Sequence, residues 1–94
     1  MAELLSTRCK QGKLILTDMA IVVELGSFMG NLRSETMMRS SFVDLDTKLA
    51  VPSLFGKGGG VNLTFHGQSN KVIHADWVNP NDAKRVQAIL TGRE

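Results

Sequence analysis

The chain has 94 residues, of which 43% are hydrophobic and 21% charged, and this composition excludes a disordered chain and fits one globular domain over residues 1–94. The net charge is only +2, and no basic run is longer than Lys84 with Arg85, whereas nucleic-acid binding needs basic residues concentrated on one face. The single cysteine, Cys9, excludes an internal disulfide and favours a cytoplasmic location, and the apolar run over residues 19–23 is too short to span a membrane.

The N-terminal part predicts three strands. A strand over about residues 4–10 leads through Gln11 and Gly12 into the next one. Between Leu14 and Leu25, apolar side chains recur at every second position and β-branched residues lie between them, which is typical of strands. The tight turn is predicted at Thr17 and Asp18, because an aspartate side chain can bond its own backbone.

The middle of the chain is less regular. Residues 26–31 are predicted to form a loop, followed by a strand that ends at Arg39, a bend, and a second short strand whose register the pattern leaves open. Pro52 and the glycine cluster over residues 56–60 interrupt the chain again. This cluster is not a phosphate-binding loop, because no Ser or Thr follows Lys57 and a strand, not a helix, comes next.

The last hairpin has a register that can be derived from its side chains. A five-residue loop over residues 67–71 places only apolar residues on one face, whereas a four-residue loop mixes apolar and charged residues. The five-residue loop pairs Phe65 with Ile73, Leu63 with Ala75, and Val61 with Trp77. In this register the Trp77 ring is buried, so its replacement by alanine is expected to cost about 3–5 kcal/mol.

A C-terminal helix is predicted over about residues 80–91. Asn79 is suited to the N-cap, Pro80 to the first helical position, and Gly92 to the stop. The helix carries one apolar stripe, formed by Ala83, Val86, Ile89 and Leu90. Because a single amphipathic helix must bury its stripe, we expect it to cover an open end or face of the sheet.

The segment GKLILTDMAIV over residues 12–22 resembles the first hairpin of bacterial pleckstrin-homology-like and GRAM-type domains. The segment over residues 39–45 is similar to a later strand of those domains, and residues 60–65 resemble the strand before their final hairpin. The resemblance implies an α+β, mainly β fold: a bent, antiparallel, seven-stranded sandwich or partly open barrel capped by one C-terminal helix. It implies little about the ligand, since such domains bind lipids, peptides, phosphorylated segments or each other.

Apolar residues at outward strand positions and in a nearby loop predict a contact patch. A sheet face exposed to water should be polar there, so these residues are either covered by other strands or form a self-association surface. The residues of this predicted patch are Ile15, Val22, Phe28, Met29, Met37 and Met38. We therefore expect a non-enzymatic interaction module that forms homo-oligomers and binds a protein partner.

The alternative function is weak, peripheral binding of an anionic lipid or phosphate ligand. Arg8, Lys10 and Lys13 cluster around the first turn, although three exposed charges contribute little at physiological salt. The contrasting interpretation is that these side chains are simply solvated at a hairpin tip.

A third hypothesis is a metal site or small enzyme built on His66, His74 and Asp76, which share the polar face of the last hairpin. Zinc needs at least one more converging ligand, and the plainer interpretation is a pair of surface histidines. Cys9 has no evident base, and a strand cysteine is usually a packed hydrophobic residue. We therefore expect no enzymatic activity, no cofactor and no metal.

Overall fold

A computed structural model of the chain describes residues 2–26, 33–50 and 59–92. These residues form seven strands and one α-helix, with single 3-10 turns at Arg39–Ser41 and Gln68–Asn70. The elements are β1 (Glu3–Cys9), β2 (Gly12–Thr17), β3 (Ala20–Leu25), β4 (Arg33–Met38), β5 (Phe42–Leu49), β6 (Val61–Gly67), β7 (Val72–Val78) and α1 (Pro80–Thr91).

The strands form two antiparallel sheets in a sandwich-like arrangement that is not a closed barrel. The first sheet has the order β1-β2-β3-β4 and the second has the order β5-β6-β7. Both sheets and the helix contribute to one core, as the period-two pattern and the helical stripe predict. Among the described residues, the largest fully buried side chains are Leu14, Leu16, Ile21, Val23, Met37, Leu63, Phe65, Ile73, Val78 and Val86.

The turn between β2 and β3 lies one residue further along than predicted, at Asp18 and Met19. The Thr17 hydroxyl accepts hydrogen bonds from the backbone N–H groups of Met19 (3.2 Å) and Ala20 (2.9 Å), and it donates to the Ala20 carbonyl (3.2 Å). These bonds hold Thr17 as the last residue of β2, so the prediction of a turn at Thr17 and Asp18 was wrong by one residue.

The five-residue loop of the last hairpin is confirmed, since Phe65 lies opposite Ile73 and Leu63 opposite Ala75. The final predicted pair is wrong, because Val61 lies opposite Val78 and not opposite Trp77. An extra residue in β7 forms a bulge, in which Trp77 adopts a φ of 60° and remains 37% exposed.

Two contacts from distant parts of the chain accompany this bulge. The Asn62 side-chain oxygen accepts a hydrogen bond from the Trp77 N–H (3.1 Å). The Gly60 backbone lies so close that a Cβ atom there would be 2.7 Å from the Trp77 Cα. The bulge leaves Trp77 at the surface and turns the next residue, Val78, into the core.

The helix begins and ends as predicted. The Asn79 side chain accepts a hydrogen bond from the Asn81 N–H (2.8 Å), and Gly92 ends the helix with a φ of 70°. Ala83 and Val86 are buried in the core, with Ile89 and Leu90 packed against it. Two side chains also join the first half of the chain to the helix: Thr7 donates to the Asp82 carboxylate (2.7 Å) and Arg39 donates to the Ile89 carbonyl (3.2 Å).

Within residues 2–26, 33–50 and 59–92, no helix has both the length and the apolar character that crossing a membrane requires.

Candidate functional site

A group of apolar side chains lies in the middle of the outer face of the first sheet. Ile15 and Val22 lie directly opposite each other on β2 and β3, and both are only half-buried. In the next row, Ala20, which is only 5% exposed, lies opposite Met38, which is 47% exposed. Since opposed residues of an antiparallel pair share a face, these side chains form one continuous surface.

The turn between β2 and β3 extends this surface into a shallow groove. Met19, the second turn residue, is 53% exposed. The groove is lined by Asp18, Met19, Ala20, Val22, Thr36 and Met38. We call Ile15, Met19, Ala20, Val22 and Met38 the outer patch.

The structure corrects the predicted patch at Met37. This side chain is only 1% exposed and lies in the core opposite Ile21. It reaches across to the second sheet, where a Cβ atom added to Gly67 would be 2.8 Å from the Met37 Cε. Neighbouring strand residues point to opposite faces, so only Met38 of the two methionines can lie in the outer patch. The other predicted members, Phe28 and Met29, lie outside the described residues.

Two members of the outer patch, Met19 and Ala20, were missed from the sequence. The predicted turn at Thr17 and Asp18 made Met19 a strand residue whose side chain faced inward. The signal that could have found it is Thr17, because a threonine hydroxyl can bond the backbone two or three residues ahead and thereby end the strand.

The predicted basic residues are partly brought together. Arg8 and Lys13 lie directly opposite each other on β1 and β2, and both are exposed. They share the outer face of the first sheet with Ile15, two residues along β2 from Lys13. The other cross-strand neighbour of Lys13 is Glu24. Lys10 lies in the turn, where its N–H donates to the Asp76 carbonyl (2.6 Å).

The polar residues of the last hairpin each have a different partner. His66 Nε2 lies 2.7 Å from Asp46 Oδ2, and His74 Nδ1 lies 3.3 Å from the Thr64 hydroxyl. Across the described segments of the chain, no group of three or more His, Cys, Asp or Glu side chains is placed to hold a metal ion.

Asp76 belongs to a contact that joins the two sheets. The Gln11 side chain donates to the Asp76 carboxylate (3.0 Å) and accepts from the Asp76 N–H (2.9 Å). Together with the bond from the Lys10 N–H, these bonds fasten the turn between β1 and β2 to the edge of β7. Asp76 therefore holds a corner of the sandwich.

Cys9 lies next to this corner and is partly buried. Burial is the largest effect on the thiol and raises its pKa, and the negative charge of Asp76 acts in the same direction. Backbone hydrogen bonds from Gly12 and Gln11 act against this increase. A raised pKa disfavours the thiolate that a nucleophilic cysteine needs.

A second groove lies between the end of β5 and the helix. Leu49 is in register with the core-facing residue Val61, yet 85% of it is exposed. The groove is lined by Thr47, Lys48, Leu49 and Val61 from the second sheet and by Pro80, Ala83, Lys84 and Gln87 from α1. We call it the β5–α1 groove. Its volume of about 270 Å³ lies just below the range of small-molecule sites and suits one or two apolar side chains.

The sequence did not reveal the β5–α1 groove. Leu45, Thr47 and Leu49 alternate as the inward residues of a strand should, and nothing in this pattern marks the last of them as uncovered. In the described part of the chain, β5 is an outer strand of its sheet and no further strand lies beside Leu49.

Comparison with known proteins found no matching family model, no matching curated protein and no matching solved structure.

Proposed function

We propose that this chain is a non-enzymatic, cytoplasmic interaction module of the pleckstrin-homology-like class that self-associates through the outer patch. The class is supported by the element order: four strands in one antiparallel sheet, three in a second, and a C-terminal helix. The same order is what the resemblance of the first hairpin implies.

The observation that carries the proposal is the exposure of two methionines beside half-buried Val22. Met19 and Met38 are 53% and 47% exposed and line the same groove. Exposed apolar surface that is continuous across neighbouring strands marks contact sites. Methionine is suited to such a site because its flexible thioether side chain adapts to the surface that covers it. A second copy of the chain can cover this patch with its own identical patch in a two-fold dimer.

The test is a concentration series by size-exclusion chromatography with light scattering. The wild-type protein is expected to shift to at least twice the monomer mass as its concentration rises. The double variant Met19→Glu with Met38→Glu is expected to stay monomeric, because dimerisation would bury its new charges. The matched control, Val43→Glu with Val72→Glu, alters two exposed residues of the second sheet and should associate like the wild type.

Circular dichroism of each variant shows whether the fold is retained. A wild-type protein that remains monomeric at every concentration would contradict self-association. A control variant that dissociates as fully as the Met19 and Met38 variant would place the contact elsewhere.

A second candidate function is binding of an anionic ligand at Arg8 and Lys13. The observation in its favour is that the two exposed cations lie directly opposite each other, although such like-charge pairs are unfavourable without a counterion. Vesicles containing phosphatidylserine should then sediment the protein in a salt-sensitive manner, and Arg8→Glu with Lys13→Glu should abolish this. The control Lys71→Glu with Lys84→Glu changes the net charge equally and should retain binding. Equal binding by both double variants would show only a general charge effect.

A further inference from the structure

We propose that the β5–α1 groove binds an extended segment of a partner protein, which pairs with β5 as an additional strand and carries acidic residues beside an apolar one. This site is separate from the outer patch and goes beyond the self-association proposed above.

The edge strands of the two sheets differ in how they are protected from pairing with another chain. β7 is an outer strand, but it is covered by the turn between β1 and β2 through the Lys10 N–H and the Gln11 side chain. β4 is also an outer strand, and two of its inward positions carry charges: Glu35 opposite Val23 and Arg33 opposite Leu25. Inward-pointing charges on an edge strand are a known device against pairing with another chain.

β5 lacks this protection in its second half. Its inward positions there carry Thr47 and Leu49, which lie opposite Leu63 and Val61. Leu49 stays 85% exposed and lines the groove together with Val61 and Ala83. Among the described residues β5 is an edge strand, so an added strand could bond its outward-facing backbone groups and bring an apolar side chain over Leu49.

The charge around the groove determines the chemistry of the occupant. Lys48 and Lys84 line it from the strand and from the helix. In the parts of the chain that the structure describes, no carboxylate lies within 4.0 Å of either ammonium group. Carboxylates on the occupant would complement both cations.

The charges at the other end of β5 determine where along the occupant its acidic residues should lie. Asp44 and Asp46 lie there, and Asp46 contacts His66. An occupant with acidic residues along its whole length would be repelled at this end. The acidic residues should therefore lie near Leu49, with uncharged residues beside the first half of β5.

The test uses two short peptides with blocked ends, in which valine alternates with threonine. The acidic peptide ends in leucine and two glutamates, and the basic peptide ends in leucine and two lysines. Fluorescence polarisation measures the Kd of each peptide. Amide chemical-shift changes in the ¹⁵N-labelled protein locate the site.

Wild-type protein is expected to bind the acidic peptide about tenfold more tightly than the basic one, with shift changes at Thr47, Lys48, Leu49 and the first turns of α1. The variant Lys48→Glu with Lys84→Glu should reverse this preference. The control Arg33→Glu with Lys71→Glu changes two exposed residues outside the groove, has the same net charge as that variant and should keep the wild-type preference.

Several results would overturn the proposal: failure of both peptides to bind, equal affinity for the two, or a preference that the Lys48 and Lys84 variant retains. Shift changes in the groove that depend on protein concentration without peptide would mean that a second copy occupies it, which also overturns the proposal. The Met19→Glu with Met38→Glu variant should bind the acidic peptide normally, so failure of self-association and failure of peptide binding can be told apart.

Discussion

The two sides of the sandwich differ in how the sheet edges meet. On one side, β1 and β7 are joined by the turn between β1 and β2: the Lys10 N–H donates to the Asp76 carbonyl, and Gln11 makes two bonds to Asp76. On the other side, β4 and β5 belong to different sheets and are linked through the 3-10 turn at Arg39–Ser41. We call the first side the closed corner and the second the open side.

This difference predicts that substitutions at the closed corner and on the open side have different effects. At the closed corner, polar groups are satisfied by residues more than sixty positions away, so a substitution there should reduce stability. On the open side, β5 presents an edge and a largely exposed Leu49, so a substitution there should change binding and leave stability nearly unaltered. Four predictions test this separation, from the largest expected effect to the smallest.

Gly12→Ala should destabilise the closed corner most. Gly12 has a φ of 153°, and a Cβ atom there would lie 2.2 Å from the Glu24 carbonyl oxygen. Because backbone must move to relieve this clash, we expect a loss of about 3 kcal/mol in the free energy of unfolding, measured by chemical denaturation. The control Gly92→Ala has a φ of 70° with no atom within 4 Å of the added Cβ and should lose only about 1 kcal/mol. Equal losses in the two variants would contradict the steric explanation.

Gln11→Ala should cost about 1–2 kcal/mol, because it removes both side-chain hydrogen bonds to Asp76 from a partly buried position. Urea denaturation measures this loss. The control Gln68→Ala removes an exposed glutamine from the loop before β7 and should change stability by less than about 0.5 kcal/mol. A Gln11 variant as stable as this control would mean that the side-chain bonds contribute nothing to closing the corner.

At Trp77, which follows Asp76, substitution by glycine should reduce stability less than substitution by alanine. A φ of 60° is unfavourable for any residue with a Cβ atom by about 1 kcal/mol, but not for glycine. Trp77→Gly should therefore be about 1 kcal/mol more stable than Trp77→Ala in thermal or chemical unfolding. The alanine variant should itself lose less than the 3–5 kcal/mol expected of a buried ring, because the ring is 37% exposed. A glycine variant less stable than the alanine variant would show that Trp77 is not strained.

Leu49→Ala on the open side should have the smallest effect on stability, within about 0.5 kcal/mol, because 85% of the residue is exposed. The same variant should weaken binding of the acidic peptide. Leu63→Ala, in the adjacent strand and fully buried, provides the contrast, with an expected cost of about 2–5 kcal/mol. A large loss of stability in the Leu49 variant would contradict the prediction that substitutions on the open side leave stability nearly unaltered.

Local chemistry explains why the helix could be predicted. Asn79, Pro80 and Gly92 act through bonds and dihedral angles within a few residues, and the apolar stripe follows from the helical period alone. The loop of the last hairpin could be predicted for a related reason, since only one loop length places Phe65 and Leu63 on the same face as Ile73 and Ala75.

The period-two pattern determined which residues share a face, but it did not determine which neighbour each one meets. Shifting the first turn from Thr17 and Asp18 to Asp18 and Met19 leaves Leu14, Leu16, Ile21 and Val23 on one face, so the pattern cannot distinguish the two registers. The outer patch depends on which register is present, because only the turn at Asp18 and Met19 places the Met19 side chain at the surface. The choice between Met37 and Met38 likewise needed the pairing of β4 with β3.

By itself, the sequence determined the helix, the paired strands and the residues available for a core, because these follow from short-range periods and caps. Only the tertiary structure decided the bulge at Trp77, the corner at Asp76 and the groove beside Leu49. Each of these depends on residues far apart in the chain: Gly60 lies against Trp77, Gln11 bonds Asp76, and Lys48 and Lys84 line one groove. No local pattern encodes the distance between two such residues, since that distance is set by how the sheets and the helix pack together.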